Sequence, residues 1–487
     1  MQQLNALVTQ RDPAEPSTPK LVGAGGVSFP SMNQTFALAR YFPNGQLDKK
    51  FGDNGTVFTS FGADNSAWLG DQAFALAVDS QQRLVAAGSS NFGDGQSCRF
   101  ALARYSPEGH LDYSFGSQGQ VTTNVNSACD LATAVVTLGS GSPAIVAGGI
   151  SGDPGTPPTD SVGIRFTLIG YTGDGHLDHG FGGGIVRTEH FVFTLPNGEK
   201  QKSSFDILGA LVVGQNDKLV AAGQAKFENG GQLIALARYN LDGSLDQSFG
   251  NAGMVLTPVR ASRANPFGLP ASAAAVRMQT DGKLVVAGQA SLANDDQLSF
   301  VARYESNGRL DASFNGGMVV TNISPQAVGC LGLEGWQALA IAQGGRLVAA
   351  GSAQSLTNDC HEQFVLARYN ANGTPDHTFG TNGIVRTFMP SDPVNFAVPA
   401  GGGASALVIQ PNGALVAGGF AIDGPGALSP VKVWALVRYH VAPPAISPQL
   451  ASDRPFAASS RCAFSLLCRS SPIPRRMCGA LVNWISA

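Results

Sequence analysis

Short apolar segments separated by glycine-containing turns run along almost the whole chain, and no stretch shows the spacing of an amphipathic helix. One apolar segment ends in Ala-Arg-Tyr and is followed by a turn, Leu-Asp, two variable residues and Phe-Gly. Full copies cover residues 36–55, 100–119, 234–253 and 364–383, and a shorter copy covers 300–317. A long motif that recurs at a fixed period indicates a repeat architecture.

Each period contains two predicted hairpins. The first joins strands A and B, as in residues 273–288, 338–351 and 406–419, where apolar runs flank a glycine turn. The second joins strand C, which ends in Ala-Arg-Tyr, to a short Gly-x-Val-x-Thr strand D, as in residues 119–123. The period is therefore a four-stranded unit.

Four short strands in each unit are typical of a β-propeller blade. The tyrosines at the end of strand C lie at positions 41, 105, 171, 239, 304, 369 and 439, so successive copies are 64 to 70 residues apart. We therefore predict an all-β propeller of seven four-stranded blades. A right-handed β-solenoid is the alternative, although its coils usually have much shorter periods.

The two ends of the chain match different parts of the period. Residues 5–10 and 20–25 resemble strands A and B, so a single propeller domain is predicted over residues 1–440. Residues 433–440 match strand C of blade 7, and no Leu-Asp-x-x-Phe-Gly follows, so the seventh blade is predicted to be incomplete. Residues 441–487 are rich in Arg, Ser, Pro and Cys, and we predict an irregular, poorly ordered tail there.

The composition argues against a nucleic-acid-binding protein and against a membrane-spanning helix. The 31 Lys and Arg against 34 Asp and Glu give a net charge of −3, which lacks the basic patch of a nucleic-acid-binding protein. No apolar run reaches the length of a membrane span, and the first residues do not look like a secretory signal. Charged residues make up only 13% of the chain and glycine contributes 61 residues, which favours buried strands joined by tight turns.

The repeated segments resemble the delta-60 repeat family of bacterial β-propeller proteins, and the resemblance covers roughly residues 5–440. It implies a propeller fold in an exported protein, located extracellularly, in the periplasm or at the cell surface. It implies no activity, because the resemblance supplies no catalytic residues. Blade 3 departs from the pattern, since Gly170 stands where the other copies have arginine.

The repeated charged residues are predicted to be structural. The arginine of strand C alternates with core positions, and a buried charge needs a partner. The aspartate of Leu-Asp is the expected partner, either in an ion-pair clamp or as a cap of the following turn. Blade 3 keeps its aspartate without the arginine, which favours the cap. A ligand site repeated on every blade is the alternative. The arginines are Arg40, Arg104, Arg238, Arg303, Arg368 and Arg438, and the aspartates are Asp48, Asp112, Asp178, Asp246, Asp311 and Asp376.

The search for catalytic motifs identifies none. The Gly-x-Ser-x-Gly elbow of α/β-hydrolases is absent, and the Asn/Asp-Gly turns lack the twelve-residue calcium pattern. The seven histidines form no zinc-spaced cluster with cysteines. The sequence therefore predicts no metal site and no cofactor.

The B–C and D–A loops vary most in length, as at residues 151–163 and 187–206, and function tends to lie on variable loops carried by a rigid scaffold. A ligand site is predicted on that face, with Trp68, His190, Phe191, Trp336 and His361 as candidates.

Four loop cysteines lie on the same face. Cys98 with Cys129 and Cys330 with Cys360 are predicted to form disulfides, with free thiols as the alternative. Disulfides would indicate an oxidising compartment.

Three functions are consistent with these observations. We favour a non-enzymatic, exported or surface-associated propeller that binds a protein or glycan. The first alternative is a hydrolase acting on an ester, lactone or glycan, and the second is a purely structural surface repeat. The fold alone does not separate them, because propellers host both binding proteins and enzymes.

Overall fold

The structure is a computed structural model of the whole chain. It describes residues 2–12, 18–29, 32–62, 70–91, 98–125, 130–139, 143–152, 163–260, 262, 264–292, 296–324, 334–356, 361–390, 399–423, 431–440 and 481–486. These residues form β-strands, turns and four single 3₁₀ turns, and they contain no α-helix. In this part of the chain no helix is long and apolar enough to cross a membrane.

The strands form seven blades in chain order, and their first, second, third and fourth strands are the predicted strands A to D. Blade 1 comprises β1 (Gln2–Gln10), β2 (Lys20–Phe29), β3 (Met32–Tyr41) and β4 (Thr56–Thr59). Blade 2 comprises β5 (Gln72–Val78), β6 (Leu84–Asn91), β7 (Cys98–Tyr105) and β8 (Gln120–Thr123). Blade 3 comprises β9 (Leu131–Thr137), β10 (Ile145–Ser151), β11 (Arg165–Tyr171) and β12 (Ile185–Arg187).

Blade 4 carries one additional strand at its inner end. It comprises β13 (Val192–Thr194), β14 (Lys200–Val213), β15 (Leu219–Phe227), β16 (Gln232–Tyr239) and β17 (Met254–Thr257). The sequence predicted a loop over residues 187–206, but residues 192–202 form a β-hairpin that lengthens strand A, closed by a turn at Asn197-Gly198. An Asn-Gly pair between alternating residues favours this hairpin.

The remaining blades follow the common pattern until the last. Blade 5 comprises β18 (Ala271–Met278), β19 (Leu284–Ser291), β20 (Gln297–Tyr304) and β21 (Met318–Thr321). Blade 6 comprises β22 (Glu334–Ile341), β23 (Leu347–Gln354), β24 (Glu362–Tyr369) and β25 (Ile384–Thr387), and the short pair β26 (Met389–Pro390) and β27 (Pro399–Ala400) follows it. Blade 7 comprises β28 (Gly402–Ile409), β29 (Leu415–Asp423) and β30 (Val431–His440), with β31 (Leu481–Ser486) beside β30.

The first strands of the seven blades form a closed ring. Each one packs against the first strand of the next blade, in the order β1, β5, β9, β14, β18, β22, β28 and back to β1. Strand A is therefore innermost and strand D outermost. This ring confirms the predicted seven-bladed propeller and excludes the solenoid alternative.

Seven hydrophobic clusters of described residues account for the packing, and each cluster lies between two consecutive blades. The cluster at the seam joins Leu4 and Leu7 of blade 1 to Trp434 and Leu436 of blade 7. The ring is therefore closed by side-chain packing between its first and last blades.

Blade 7 differs from the others at its outer edge. Its antiparallel part ends at β30, as predicted, and β31 runs parallel to β30 with Leu436 opposite Val482. Most of the predicted tail, residues 441–480, lies outside the described residues.

Every strand A contains a β-bulge at the same position. The register shifts by one residue, so that one residue of strand A is unpaired against strand B. The seven bulge residues are Asn5, Phe74, Thr133, Gly209, Ala274, Gln337 and Ser405. The bulge brings a strand A carbonyl against the glycine that ends Leu-Val-x-x-Gly in strand B, which explains why that glycine recurs.

The repeated arginine and aspartate form the predicted clamp, and the same aspartate also caps the turn. The Arg303 Nε donates to Asp311 Oδ2 at 2.7 Å, while the Ser313 backbone N–H donates to Asp311 Oδ1 at 2.9 Å. The guanidinium also lies 4.7 Å above the Phe314 ring. Blades 1, 2, 4 and 6 repeat the ion pair at 2.8 to 2.9 Å.

The clamps of blades 1, 2, 4 and 5 also connect neighbouring blades. The Arg303 Nη1 donates to the Ala371 carbonyl in the C–D turn of blade 6, and Arg40 makes the equivalent bond to Pro107 of blade 2. In blade 3 a Cβ at position 170 would lie 2.7 Å from Phe181, so that ring blocks a larger residue there. Asp178 nevertheless still caps its turn, accepting from the Gly180 N–H at 2.9 Å.

A second hydrogen bond crosses six of the seven blade interfaces. The tyrosine ending strand C meets the threonine ending strand D of the preceding blade, as in Tyr304 to Thr257 at 2.9 Å. The equivalent pairs are Tyr105 with Thr59, Tyr171 with Thr123, Tyr239 with Thr188, Tyr369 with Thr321 and Tyr439 with Thr387. At the seam, no described residue hydrogen-bonds to the Tyr41 hydroxyl, because blade 7 lacks the antiparallel strand D that would supply the threonine.

We therefore expect Tyr304→Phe to lower the free energy of unfolding by about 1 kcal/mol, because it leaves the buried Thr257 hydroxyl without its partner. Tyr41→Phe is the matched control, with an expected change close to zero. Urea unfolding of the two variants measures both values. Equal losses would contradict the assignment of a missing bond at the seam.

Candidate functional site

The innermost strands define the wall of a central channel. Two of the bulge side chains bond to the next blade: Asn5 Nδ2 donates to the Ala73 carbonyl at 2.8 Å, and Thr133 Oγ1 donates to the Leu208 carbonyl at 2.6 Å. Each strand A contains a stretch that runs from two residues before its bulge to four residues after it. Across these seven stretches, Arg277 is the only charged residue. The channel wall is therefore almost entirely neutral.

A cavity of about 550 Å³ opens at the A–B end of this ring. Thr9, Val78 and Ile409 occupy equivalent positions at the ends of β1, β5 and β28, so the cavity lies where blades 7, 1 and 2 meet. Pro19, Pro411, Arg11, Asp79 and Gln82 complete its lining. Its volume falls within the usual range of small-molecule sites.

We call this cavity the mouth cavity. Its polar side chains differ in whether another protein group already pairs with them. Asp79 is occupied, because its carboxylate pairs with Arg83 at 2.7 Å and accepts the Gln81 and Arg83 backbone N–H groups. The Gln82 side chain is held by the Arg11 backbone N–H at 2.7 Å. The Arg11 guanidinium has no acidic partner among the described residues and is exposed. The unpaired charge of the mouth cavity is therefore positive.

A smaller cavity of about 250 Å³ lies between blades 4 and 5 on the same face. Lys218, Arg238 and Asp246 line it, and both cations pair with the carboxylate, at 3.3 and 2.9 Å. Burial alone would raise the pKa of Asp246, but hydrogen bonds from Ser248 and the charge of Arg238 lower it to about 2. Because these groups belong to the repeated clamp, we assign this cavity to the scaffold.

The sequence analysis missed the second cation of each clamp. A lysine or arginine just before strand B also pairs with the clamp aspartate, as Lys283 does with Asp311 at 2.7 Å. The equivalent residues are Lys20, Arg83, Lys218 and Arg346. Their recurrence before Leu-Val is the signal that could have identified them.

A set of buried acidic residues lies at the opposite end of strand A. Glu334 is 1% exposed and accepts the backbone N–H groups of Ser299, Ile323 and Ser324 at 2.7 to 3.0 Å. Burial raises its pKa to about 7, as it does for Asp206. Asp71 and Asp130 likewise accept N–H groups of the preceding D–A segment. These carboxylates hold the segment that enters each blade and are closed to substrate.

Of the five predicted ligand-face residues, the four that the structure describes are not brought together. Phe191 and Trp336 are fully buried, in clusters between blades 3 and 4 and between blades 5 and 6, respectively. His190 Nε2 lies 2.9 Å from the guanidinium of Arg165. The His361 carbonyl accepts the Ser355 N–H at 2.8 Å, and Trp68 lies outside the described residues.

Of the four loop cysteines, only Cys98 is described, and it is disulfide-bonded. Its predicted partner Cys129 lies outside the described residues, as do Cys330 and Cys360. The Asp130 backbone N–H donates to the Cys98 carbonyl at 2.9 Å, so the segment next to Cys129 runs beside Cys98. The two pairings remain predictions.

Within the described ranges, no group of three or more His, Cys, Asp or Glu is placed to hold a metal ion. The described residues that line the mouth cavity include no histidine, cysteine or lysine, and their single carboxylate is engaged by Arg83. They therefore lack a nucleophile paired with a base.

The repeated segments match a family model described as "Domain of unknown function (DUF5122) beta-propeller" at residues 83–115, 215–249, 279–314 and 345–379. Each match covers strands B and C and the C–D turn of one blade, in blades 2, 4, 5 and 6. No curated protein is detectably similar to this chain.

Several solved structures are similar to this chain at low sequence identity. A Dyadobacter fermentans protein of unknown function is 8% identical with a TM-score of 0.41, and the alignment covers 88% of this chain and 93% of that one. A PL25 ulvan lyase is 9% identical with a TM-score of 0.45, covering 86% and 91%. A Trypanosoma rangeli sialidase is 10% identical with a TM-score of 0.37, covering 88% of this chain and only 54% of the sialidase.

Proposed function

We propose that this protein is a non-enzymatic binding propeller of the delta-60 repeat type, and that its ligand is an acidic carbohydrate bound in the mouth cavity. The observation that carries the proposal is the exposed, unpaired guanidinium of Arg11 in a cavity of about 550 Å³ at the end of the central ring. Arginine binds carboxylate and sulfate groups through a planar pair of N–H donors.

The rest of the lining fits a sugar. Thr9 and Gln82 offer hydroxyl and amide groups for ring hydroxyls, while Val78, Ile409 and the two prolines offer apolar surface. A site of this kind combines a mainly apolar wall with a few placed polar groups.

A protein ligand is less well supported. Stable protein interfaces usually bury about 800 Å² on each partner and centre on large apolar anchors. The large apolar side chains exposed among the described residues are scattered over five blades: Phe42, Phe58, Tyr113, Val192, Leu310, Leu356 and Phe388. No single docking patch is formed by them in the described part of the chain.

The disulfide at Cys98 supports the further proposal that the protein is exported or surface-associated, because such bonds persist in oxidising compartments. The hydrolase and the purely structural repeat remain the alternatives. The hydrolase lacks a catalytic set in the mouth cavity, and the structural repeat gives no reason for an unpaired arginine there.

Isothermal titration calorimetry tests the proposal. Digalacturonic acid is the acidic probe and lactose is the neutral probe. We expect the acidic disaccharide alone to bind, and Arg11→Gln to weaken it by about tenfold through loss of a charge-assisted hydrogen bond. The matched control is Lys202→Gln, which removes an exposed charge from blade 4, outside the mouth cavity. This variant should bind normally.

Three results would count against the proposal. They are equal binding of both probes, equal binding by the Arg11 and Lys202 variants, and no binding of any carboxylated or sulfated disaccharide on a glycan array. Turnover of an ester or lactone by the wild-type protein would favour the hydrolase instead.

A further inference from the structure

The central channel contains one charged side chain at a level where the other six blades are apolar. Counted from the bulge, Arg277 lies three residues further along β18. The equivalent residues of the other blades are Val8, Ala77, Val136, Val212, Ala340 and Val408. The pattern of strand A therefore gives no structural reason for an arginine there.

The position of β18 directs Arg277 into the channel. This strand is the innermost one of blade 5, and the innermost strands β14 and β22 flank it. Its neighbour Val276 is fully buried in the blade interface, whereas the Arg277 side chain is exposed. Arg277 is the next-to-last residue of this innermost strand, so its exposed side chain reaches the water of the channel near the A–B end.

Arg277 lacks an acidic partner among the described residues. Its Nη1 donates to the Val276 carbonyl of its own strand at 2.8 Å, and no described side chain accepts its other N–H groups. The surrounding protein desolvates the guanidinium and lowers its pKa, and no nearby charge opposes this shift. This arrangement differs from the clamp arginines of blades 1, 2, 4, 5 and 6, each of which pairs with an aspartate.

A cation in a passage with neutral walls attracts anions and repels metal ions. The field of an unpaired charge is strengthened where low-dielectric walls surround it. A guanidinium presents a fork of N–H donors that matches two oxygens of one oxyanion. We infer that the central channel binds a small oxyanion, a carboxylate, sulfate or phosphate group, at Arg277.

This inference is independent of the proposed carbohydrate site. Arg11 lies in the mouth cavity at the end of blade 1, whereas Arg277 belongs to the channel wall of blade 5. A free inorganic anion satisfies the channel site without any sugar. Variants of the two arginines therefore separate the two proposals.

Crystals soaked in bromide, and separately in sulfate, provide the direct test. We expect an anomalous bromide peak and sulfate density beside the Arg277 guanidinium in the wild-type protein, and neither in Arg277→Gln. The Arg11→Gln protein should retain both. A divalent cation in the channel, or empty density beside Arg277 at saturating anion, would overturn the inference.

Thermal unfolding at constant ionic strength gives a solution test with separate arms for sulfate, phosphate, acetate and digalacturonate, each compared with chloride. We expect at least one of the three small anions to raise the melting temperature of the wild type and of Arg309→Gln, in which an exposed arginine of the same blade is removed. Arg277→Gln should lose that increase while its melting temperature in chloride is no lower than that of the wild type. Stabilisation by digalacturonate alone, or an equal increase in both variants, would refute the site.

Discussion

Gly351→Ala is expected to lower the free energy of unfolding by more than about 3 kcal/mol, an effect at the upper end for a single methyl group. A Cβ at position 351 would lie 1.9 Å from the Gly335 carbonyl oxygen. The bulge at Gln337 places that carbonyl against strand B, and a backbone atom inside a sheet has little room to move. Chemical unfolding monitored by tryptophan fluorescence measures the loss.

Gly173→Ala is the matched control. Gly173 is exposed, and a Cβ there would come no closer than 4.0 Å to any heavy atom outside its chain neighbours. Its expected change is within about 0.5 kcal/mol. If both alanines cost the same, the bulge does not impose the glycine. Equivalent close approaches at Gly25, Gly88, Gly149, Gly223, Gly288 and Gly419 predict the same outcome in the other blades.

Arg303→Met is expected to cost about 3 kcal/mol, because it leaves a nearly buried carboxylate with one of its two cations removed. The side chains of Arg303 and Asp311 are only 9% and 3% exposed. The substitution also removes the bond to the Ala371 carbonyl, which connects blades 5 and 6. Urea unfolding at pH 7 checks the size of the effect.

The pH dependence of that loss identifies its cause. Burial alone would raise the pKa of Asp311, but hydrogen bonds from Lys283, Ser313 and Arg303 lower it well below its usual value. A lowered carboxylate pKa stabilises the fold above the unfolded pKa, and this stabilisation is lost as the pH falls through the folded pKa. The difference between wild type and Arg303→Met should therefore shrink as the pH falls below about 4.

The control for this experiment is Arg309→Met, an exposed arginine in the same C–D turn. We expect it to have little effect at any pH. A pH-independent loss in Arg303→Met would assign the effect to lost packing over Phe314 instead of the ion pair.

Most of the fold could be predicted from the chain because each blade repeats the same local signals. Glycine turns and apolar runs define the two hairpins, and the Ala-Arg-Tyr and Leu-Asp-x-x-Phe-Gly segments mark strand C and its turn. The sequence could not show whether the repeated aspartate pairs with the arginine of strand C or caps the following turn. The structure shows that one carboxylate does both, with Oδ2 on Arg303 and Oδ1 on the turn.

The candidate site was much less predictable. The sequence directed attention to aromatic and histidine residues near variable loops, yet Phe191 and Trp336 lie in the core. The hairpin of β13 and β14 extends blade 4. Where a hairpin extends a blade, the spacing of strands along the sequence does not show which face of the sheet an aromatic residue occupies. Arg277 was visible as a charge inside an apolar strand, but only the ring of innermost strands shows that it meets a channel.

The sequence by itself determined the number of blades, the strand order within each blade and the repeated arginine and aspartate of the clamp, because these depend on local contacts that every repeat makes again. The tertiary structure decided how the ring closes, where the bulges place backbone carbonyls, and which side chains reach the mouth cavity and the channel. Those features join residues hundreds of positions apart, such as Thr9 and Ile409, and no local pattern specifies such pairs.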